Sequence, residues 1–392
     1  MRKNLVVAGG GIGGLSAALA CARRGWHVDL LEQSEAFGEF GAGIQLSPNV
    51  VRVLQRWGVG DALASVVAYP RQLEVRNARS GDVLAVLPMG NTILQNYGAP
   101  YVTIARADLQ DLLLDALRHI PEVHLHLESR VISCTQDASE IRVQTVLDQE
   151  FSAAALVAAD GVWSKLRTYV IAHDTAPRVT GHLAFRAMLR QSELPEALRS
   201  DVVTAWMGPK FHVVQYPVRG GEWMNVVAIV QGKVQGDPKV WDHSANAAEL
   251  RTRLAEADRR LQALVQAIDH WRLWPLSDRP PMQSAAQHAK GRIALLGDAA
   301  HPMRPYLAQG AGMAIEDANA LAVCLEESPD DVPEALQRYA HRRWQRNARV
   351  QNRAIRNGEI FHMRGLMAVG RDLSLRLFGA RLVDVPWLYT DH

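Results

Sequence analysis

Residues 9–14 read Gly-Gly-Gly-Ile-Gly-Gly, between a short apolar run, Leu5 to Ala8, and an Ala/Leu-rich stretch, Leu15 to Ala22. The glycines at Gly9, Gly11 and Gly14 fit the pattern G-x-G-x-x-G. In a strand–turn–helix unit, the first allows the tight turn, the second lets the backbone approach a pyrophosphate, and the third permits close helix–strand packing. The start of the helix then offers free N–H groups and the positive end of its dipole to the phosphates. A second strand is expected over residues 26–31, ending at Glu32, eighteen residues after Gly14. An acid at that distance meets a ribose hydroxyl, and favours an unphosphorylated ribose, as in FAD or NAD, over NADP. Strand, turn, helix, strand and acid arrive in order, which predicts a doubly wound α/β unit around a dinucleotide.

The same stretch, uncharged from Leu5 to Ala22 behind Arg2 and Lys3, imitates a secretory signal. Its five glycines interrupt the helix such a signal needs, so the dinucleotide reading is preferred. No other run reaches the ~18–20 apolar residues of a membrane helix, and no membrane association is expected. Cys21, Cys134 and Cys324 lie far apart, with neither zinc spacing nor a disulfide framework. No metal is expected, and sparse cysteine fits a cytoplasmic protein. With 43 Lys and Arg against 41 Asp and Glu, the net charge of +2 argues against a polyanion-binding protein. One local exception is a run of seven arginines from Arg338 to Arg356, faced in its own segment only by Glu334. No base-reading motif accompanies it, so a solvated or inter-subunit helix is expected and no nucleic acid.

Further along, residues 292–296 read as a buried parallel strand running into Gly297-Asp298. Asp298 there can accept hydrogen bonds from a sugar-like chain or cap a helix. Gly310 and Gly312 open a helix expected around residues 313–322, with bare N–H groups able to face an electron-rich ring edge.

Four segments together resemble the class A flavoprotein aromatic hydroxylases. They are residues 38–49, which include Gly43; Asp160-Gly161 to Ser164 with Arg167; Gly297-Asp298-Ala299-Ala300-His301-Pro302; and Gln309-Gly310-Ala311-Gly312 running on to Glu316-Asp317-Ala318. The resemblance implies FAD held from several stretches of chain: Gly9, Gly11, Gly14, Glu32, Gly43, Arg106, Asp160, Asp298, Gly310, Ala311 and Gly312. Without it, Arg106 reads as a surface arginine ahead of a helix, and Asp160 as structural. NADH or NADPH and O2 are implied as co-substrates. Only one dinucleotide fingerprint is present, so no separate NAD(P)H domain is expected.

Residues 177–275 read differently. Strands are expected over 181–189, 202–207, 211–218 and 223–230, with a hairpin turn at Arg219-Gly220-Gly221-Glu222. Residues 71–100 add strands to this sheet, and 245–268 read as one helix with Leu250, Leu254, Leu261, Leu264 and Ile268 on its apolar stripe. The fold class expected is α/β, α+β overall. A Rossmann-like FAD-binding domain (1–70, 101–176 and 276–330) interleaves with an antiparallel-sheet substrate domain (71–100 and 177–275), followed by a C-terminal helical segment (331–392). Apolar pieces after residue 358 dock on the flavin domain or on a second copy, as in a homodimer.

His212, Val214 and Tyr216 alternate on one strand and so share a face. Spacing alone fits a half-buried sheet surface. Aromatic hydroxylases acting on 3-hydroxybenzoate and 6-hydroxynicotinate are similar here, and the resemblance gives His212 and Tyr216 catalytic roles. His212 would take a phenol proton from a small aromatic acid that a flavin hydroperoxide then hydroxylates, and Tyr216 would hydrogen-bond it. Pro302, Pro305 and the Gly310–Gly312 segment would shape the pocket with Val214. Pro305 stands where enzymes of the 3-hydroxybenzoate type often carry glutamine, which is closer to the 6-hydroxynicotinate type. Arg304 either binds a carboxylate or is solvated. The leading expectation is a hydroxylase of 3-hydroxybenzoate or salicylate type. The alternatives are a decarboxylating 6-hydroxynicotinate-type hydroxylase and a flavin-dependent dehydrogenase without oxygen insertion.

Overall fold

The computed structural model describes residues 3–38, 43–233, 237, 243–244 and 247–390. Residues 39–42 of the segment leading to Gly43, and 245–246 at the start of the expected helix, lie outside the described residues.

The first strand, β1 (Asn4–Ala8), takes a central place in a six-stranded sheet. It pairs in parallel with β2 (His27–Leu31) on one side and Ala155–Ala158 on the other. Val123–His126 extends the sheet beyond β2; Ile293–Leu295 and the short antiparallel edge Ala289–Lys290 extend it the other way. A parallel strand inside such a sheet is covered on both faces, which is why Leu5 to Ala8 is uninterrupted apolar sequence. The helix α1 (Ile12–Ala22) is buried along nearly its whole length, so it too carries no charge. Gly9 has φ +110°, where a side chain would run into the Ala159 carbonyl; a Cβ on Gly14 would fall on the carbonyl oxygen of Gly9. Here glycine is a packing requirement as well as a turn residue. A three-stranded antiparallel sheet, Val131–Gln136, Ile141–Thr145 and Glu150–Ala153, fills the connection before Ala155–Ala158.

The second sheet has eight strands. At its middle β3 (Phe211–Val218) pairs antiparallel with Trp223–Gln231 through the Arg219–Gly221 turn, and with Val203–Gly208 on its other side. Arg178–Arg190 and Arg272–Asp278 continue it one way, Gln72–Asn77 and Val83–Pro88 the other. The single helix expected over 245–268 is two, Ala247–Arg253 and Arg259–Gln266. Asp258 breaks it by accepting a hydrogen bond from the Arg260 N–H and capping the second piece. The stripe survives the break: Leu250, Leu254, Leu261, Leu264 and Ile268 are all buried against this sheet.

Three long helices, α2 (Gly310–Glu327), α3 (Val332–Phe361) and α4 (Gly365–Phe378), are followed by two short ones, Ala380–Val383 and Pro386–Tyr389. The arginine run of α3 is solvated at Arg338, Arg342, Arg349 and Arg356, and turned inward elsewhere. Arg343 is buried, pairing with Asp317 at 2.7 Å and Glu316 at 2.8 Å; Arg346 also reaches Glu316, at 2.7 Å. Arg342 pairs with Glu327 outside its own helix. Their partners lie on α2, so inspection of the arginine segment alone could not find them. Asp317 also bonds His301 Nε2, which joins the Gly297–Pro302 and Glu316–Ala318 motifs in one buried cluster. Burial by itself would raise the Asp317 carboxyl, but His301 and Arg343 outweigh it and hold it below the carboxylate range. Among the described residues, no helix is long and apolar enough to cross a membrane.

Candidate active site

A cavity of ≈ 280 Å³ is lined from both sheets and from α2. Its two ends are built differently. One end is mostly backbone: Gly11 to Gly13 at the start of α1, Ala159 and Gly161, and Leu296 to Asp298. The N-terminus of α1 has no side-chain cap and no acid in its first turn, so its N–H groups remain available. A Cβ on Gly11 would meet nothing, which leaves open space on that side of the backbone. Gly310 and Ala311 bring the start of α2 to the same cavity, and Arg106, first residue of helix Arg106–Arg118, lines it too. Asp298 caps no helix. Its side chain opens into the cavity although it lies deep in the protein; that depth raises its carboxyl pKa, opposed by Arg106.

The other end is made of side chains from the second sheet. His212 stands opposite Ile229, Val214 opposite Val227, and Tyr216 opposite Asn225. Arg186, one strand further, stands opposite Val227. All but Asn225 line the cavity, so the pleat places one imidazole, one phenol and one guanidinium on an otherwise aliphatic floor. Met303, Pro305 and Ala308 complete the walls. His212 is 2 % exposed, and burial together with the His362 and His182 rings holds it well below the ordinary histidine range. Burial raises the Tyr216 hydroxyl, so it stays protonated. Gly43 lies between these ends: its N–H donates to Asn225 Oδ1 at 2.7 Å, and a Cβ there would come within 2.7 Å of the Tyr216 ring.

Several expected residues lie outside the lining. Glu32 accepts hydrogen bonds from the Gly10 N–H and from Ser34, holding the glycine turn against the end of β2. Asp160 accepts from the N–H groups of Lys165 and Leu166, so its neighbours Ala159 and Gly161 reach the cavity in its place. Gly9 and Gly14 pack against each other's backbone, and Gly312 packs on Val50. Pro302 presents its carbonyl to Gln351 Nε2 at 3.0 Å and is not among the lining residues. Arg304 is neither solvated nor free for a carboxylate, because Asp278 pairs with it at 2.8 Å.

Some cavity features had no counterpart in the sequence reading. Arg186 stacks over the Trp274 ring, 4.4 Å from its centroid. His212 Nδ1 lies 2.8 Å from His362 Nε2, and the Tyr306 and Phe361 rings stand 5.1 and 5.2 Å from the His212 ring. Phe361 and His362 come from the end of α3, where no local pattern marks them.

An open, uncapped helix start, bare glycine backbone and a carboxylate aimed into the same cavity fit a dinucleotide. The FAD binding domain family matches residues 2–354. The chain is 36% identical over 391 residues to the 3-hydroxybenzoate 6-hydroxylase of Polaromonas naphthalenivorans (strain CJ2), covering 98% of this chain and 95% of that one. It is 34% identical over 352 residues to the 6-hydroxynicotinate 3-monooxygenase of Bordetella bronchiseptica, covering 89% and 90%. Among solved structures, Klebsiella pneumoniae HpxO complexed with FAD and uric acid matches with TM-score 0.86 at 27% identity, covering 97% of this chain and 94% of that one. The chain therefore belongs to the FAD-binding family of flavoprotein aromatic hydroxylases, and it is a monooxygenase with FAD as its cofactor.

Proposed function

We propose that this enzyme hydroxylates a small aromatic acid bearing a ring hydroxyl, of 3-hydroxybenzoate or salicylate type, with NADH or NADPH and O2 as co-substrates. One observation carries the reading: a buried imidazole, His212, faces the cavity beside Tyr216 and Arg186 at the end away from the glycine cradle.

The chain's own residues divide the work. Gly11 and the start of α1 would hold the pyrophosphate, with Gly9 and Gly14 keeping that turn in shape; Glu32 would meet the ribose. Asp298 and Arg106 would hold the ribityl side. Gly310 and Ala311 would offer N–H groups to the flavin's pyrimidine edge, with Gly43 and Gly312 packed behind. Bound FAD, once reduced, supplies the activated oxygen, which is electrophilic. His212 takes the substrate's hydroxyl proton and so makes the ring electron-rich; a neutral imidazole suits that transfer. Tyr216, kept protonated by burial, donates a hydrogen bond to the resulting oxygen anion. Arg186 brings positive charge to the floor for the carboxylate, a role that Arg304, paired with Asp278, does not fill. Val214, Val227, Ile229 and Pro305 keep water from the reacting centre.

The test is a panel of 3-hydroxybenzoate, salicylate, 4-hydroxybenzoate and 6-hydroxynicotinate. Oxygen uptake is followed with and without catalase, and products are identified. At least one acid should stimulate NAD(P)H oxidation and yield a product with one added hydroxyl; no product across the panel overturns the reading. Pro305 in the cavity wall favours a second reading, 6-hydroxynicotinate-type hydroxylation with loss of the carboxylate, which release of CO2 in the same panel would reveal.

Two interleaved units over the boundaries given above fit the way the two sheets share the chain, and a need for reduced nicotinamide fits the cytoplasm. Leu366, Val369, Leu373 and Leu377 recur at three or four residues along α4 and are exposed, Leu366 at 89%. Such a seam suits pairing with a second copy, and the mass in solution decides it.

A further inference from the structure

His212 does not meet the cavity alone. Its Nδ1 lies 2.8 Å from Nε2 of His362, the residue that closes α3. Both rings are buried, at 2% and 6% exposure. Two neutral imidazoles at that distance share one proton between the facing nitrogens, and which ring donates decides what His212 shows the cavity. If His362 donated, His212 would carry its hydrogen on Nε2 and could only donate to a substrate. If His212 donates through Nδ1, its Nε2 holds a lone pair for the substrate hydroxyl.

The surroundings argue that neither ring rests as a cation. His362 is lowered to about 3 by burial, the His182 ring, Arg371 and Arg304. Facing the pair are His182 from Arg178–Arg190, Tyr306 and Arg304 from the turn before α2, and Arg371 from α4. Tyr216 lies further along β3. Arg304 is paired with Asp278 and Arg371 with Asp372. His362 Nδ1 is enclosed and has no hydrogen-bond partner among the described residues, so it keeps its hydrogen and leaves Nε2 as the accepting nitrogen.

We propose that His362 is a positioning residue and proton relay for His212: it accepts the Nδ1–H, fixes the tautomer with Nε2 open to the cavity, and receives the proton that substrate binding releases. This rests on the reading of His212 as the base. The step balances without a co-reactant. The substrate O–H breaks as a proton joins His212 Nε2; the His212 Nδ1–H breaks as a proton joins His362 Nε2, and His362 holds that proton while hydroxylation proceeds. The substrate keeps the electron pair as an oxygen anion, and His212 is neutral again when hydroxylation occurs. Return of the proton from His362 Nε2 to His212 Nδ1, as His212 Nε2 gives its proton back to the product oxygen, resets the pair.

The experiment uses the full-length FAD-loaded enzyme and the ultraviolet absorbance of bound 3-hydroxybenzoate, which separates phenol from phenolate. Wild type, His362→Leu, His362→Gln and His212→Ala are titrated with pH, alongside hydroxylation and flavin reduction rates. His362→Leu should raise the bound phenol's ionisation by about one pH unit and slow hydroxylation about tenfold to a hundredfold, with flavin reduction kept. His362→Gln retains an acceptor for the Nδ1–H and should restore the ionisation toward wild type. If His212→Ala moves the ionisation and His362→Leu does not, the relay is wrong and the base stands. If neither moves it, or wild type does not bind the acid, the functional reading falls and the relay with it. Equal defects in the Leu and Gln variants, with FAD content lost in both, would mark His362 as structural only and overturn the proposal.

Discussion

The two ends of the cavity solve recognition in opposite ways. The cradle end offers backbone: glycine turns, two helix starts and one carboxylate, held in shape by contacts that leave no room for a side chain. The ring end offers side chains spread over several strands and the tail of α3, with a histidine pair at its edge. Backbone N–H groups do not titrate and cannot be mutated away, but they demand glycine at fixed positions. Side chains can be exchanged one by one, and their protonation follows pH. Loss at the packed glycines of the cradle should therefore be structural and total, and loss at the ring end chemical and graded.

The largest effect is expected from Gly14→Val. Its branched Cβ would occupy the Gly9 carbonyl oxygen, so the turn and α1 cannot both keep their places. We expect a loss of about 3–5 kcal/mol or no folded protein, read by thermal unfolding and bound FAD. A stable, yellow Gly14→Val enzyme would break the claim that the cradle is held by packing. His212→Ala should break the other end alone. Hydroxylation falls about 10²–10⁴-fold, while FAD content and flavin reduction by NAD(P)H persist. Equal loss of reduction and hydroxylation would mean that the two ends are not separable. Gly11→Ala sharpens the contrast. Its Cβ meets open space, so the fold should hold while FAD affinity drops about tenfold from a lost close approach. That is checked by the dissociation constant for FAD at unchanged apoprotein melting temperature.

The same contrast explains what could be read in advance. The cradle lies in runs of adjacent residues, so strand, glycines, helix and second strand were legible as one pattern. Within the second sheet, the strand over 211–218 was read with the bounds observed, because apolar alternation and the Arg219-Gly220-Gly221-Glu222 turn mark it on both sides. Its face-sharing trio followed from the pleat. Contacts between distant segments were not legible. Nothing in the arginine run points to Glu316 and Asp317, and nothing near His362 points to His212, because neither pairing repeats or lies within one element. The helix broken at Asp258 failed for the opposite reason: its stripe is regular across the break, and only the cap ends it.

The smallest effect is a pH dependence, and its sign separates the ends again. His212 and His362 at the ring end are held below their unfolded value, as is His288, lowered to about 3 by burial with the neighbouring His301 and arginines. A histidine with a depressed folded pKa contributes stability above its unfolded pKa. Below about 6.5 the unfolded chain takes up protons that the fold refuses, so stability declines with acid until the folded values are reached. Each such histidine contributes a slope of at most roughly 1.4 kcal/mol per pH unit. Asp160 and Asp298, raised by burial, act with the opposite sign. The fold takes up their protons first, which offsets part of the decline as pH falls through their raised values. The loss should therefore set in near pH 6.5 and steepen over about the next pH unit. Denaturant unfolding at pH 7.5 and 5.5 measures it, and hydrogen exchange at both values locates it. Protection along β3, which carries His212, should fall more than protection along β1, since His288 lies at the far edge of the first sheet beside Ala289–Lys290. His362→Gln should flatten the slope by about one proton. Equal loosening of both strands would show that acid acts on the molecule as a whole, and that the ring end is no more titratable than the cradle.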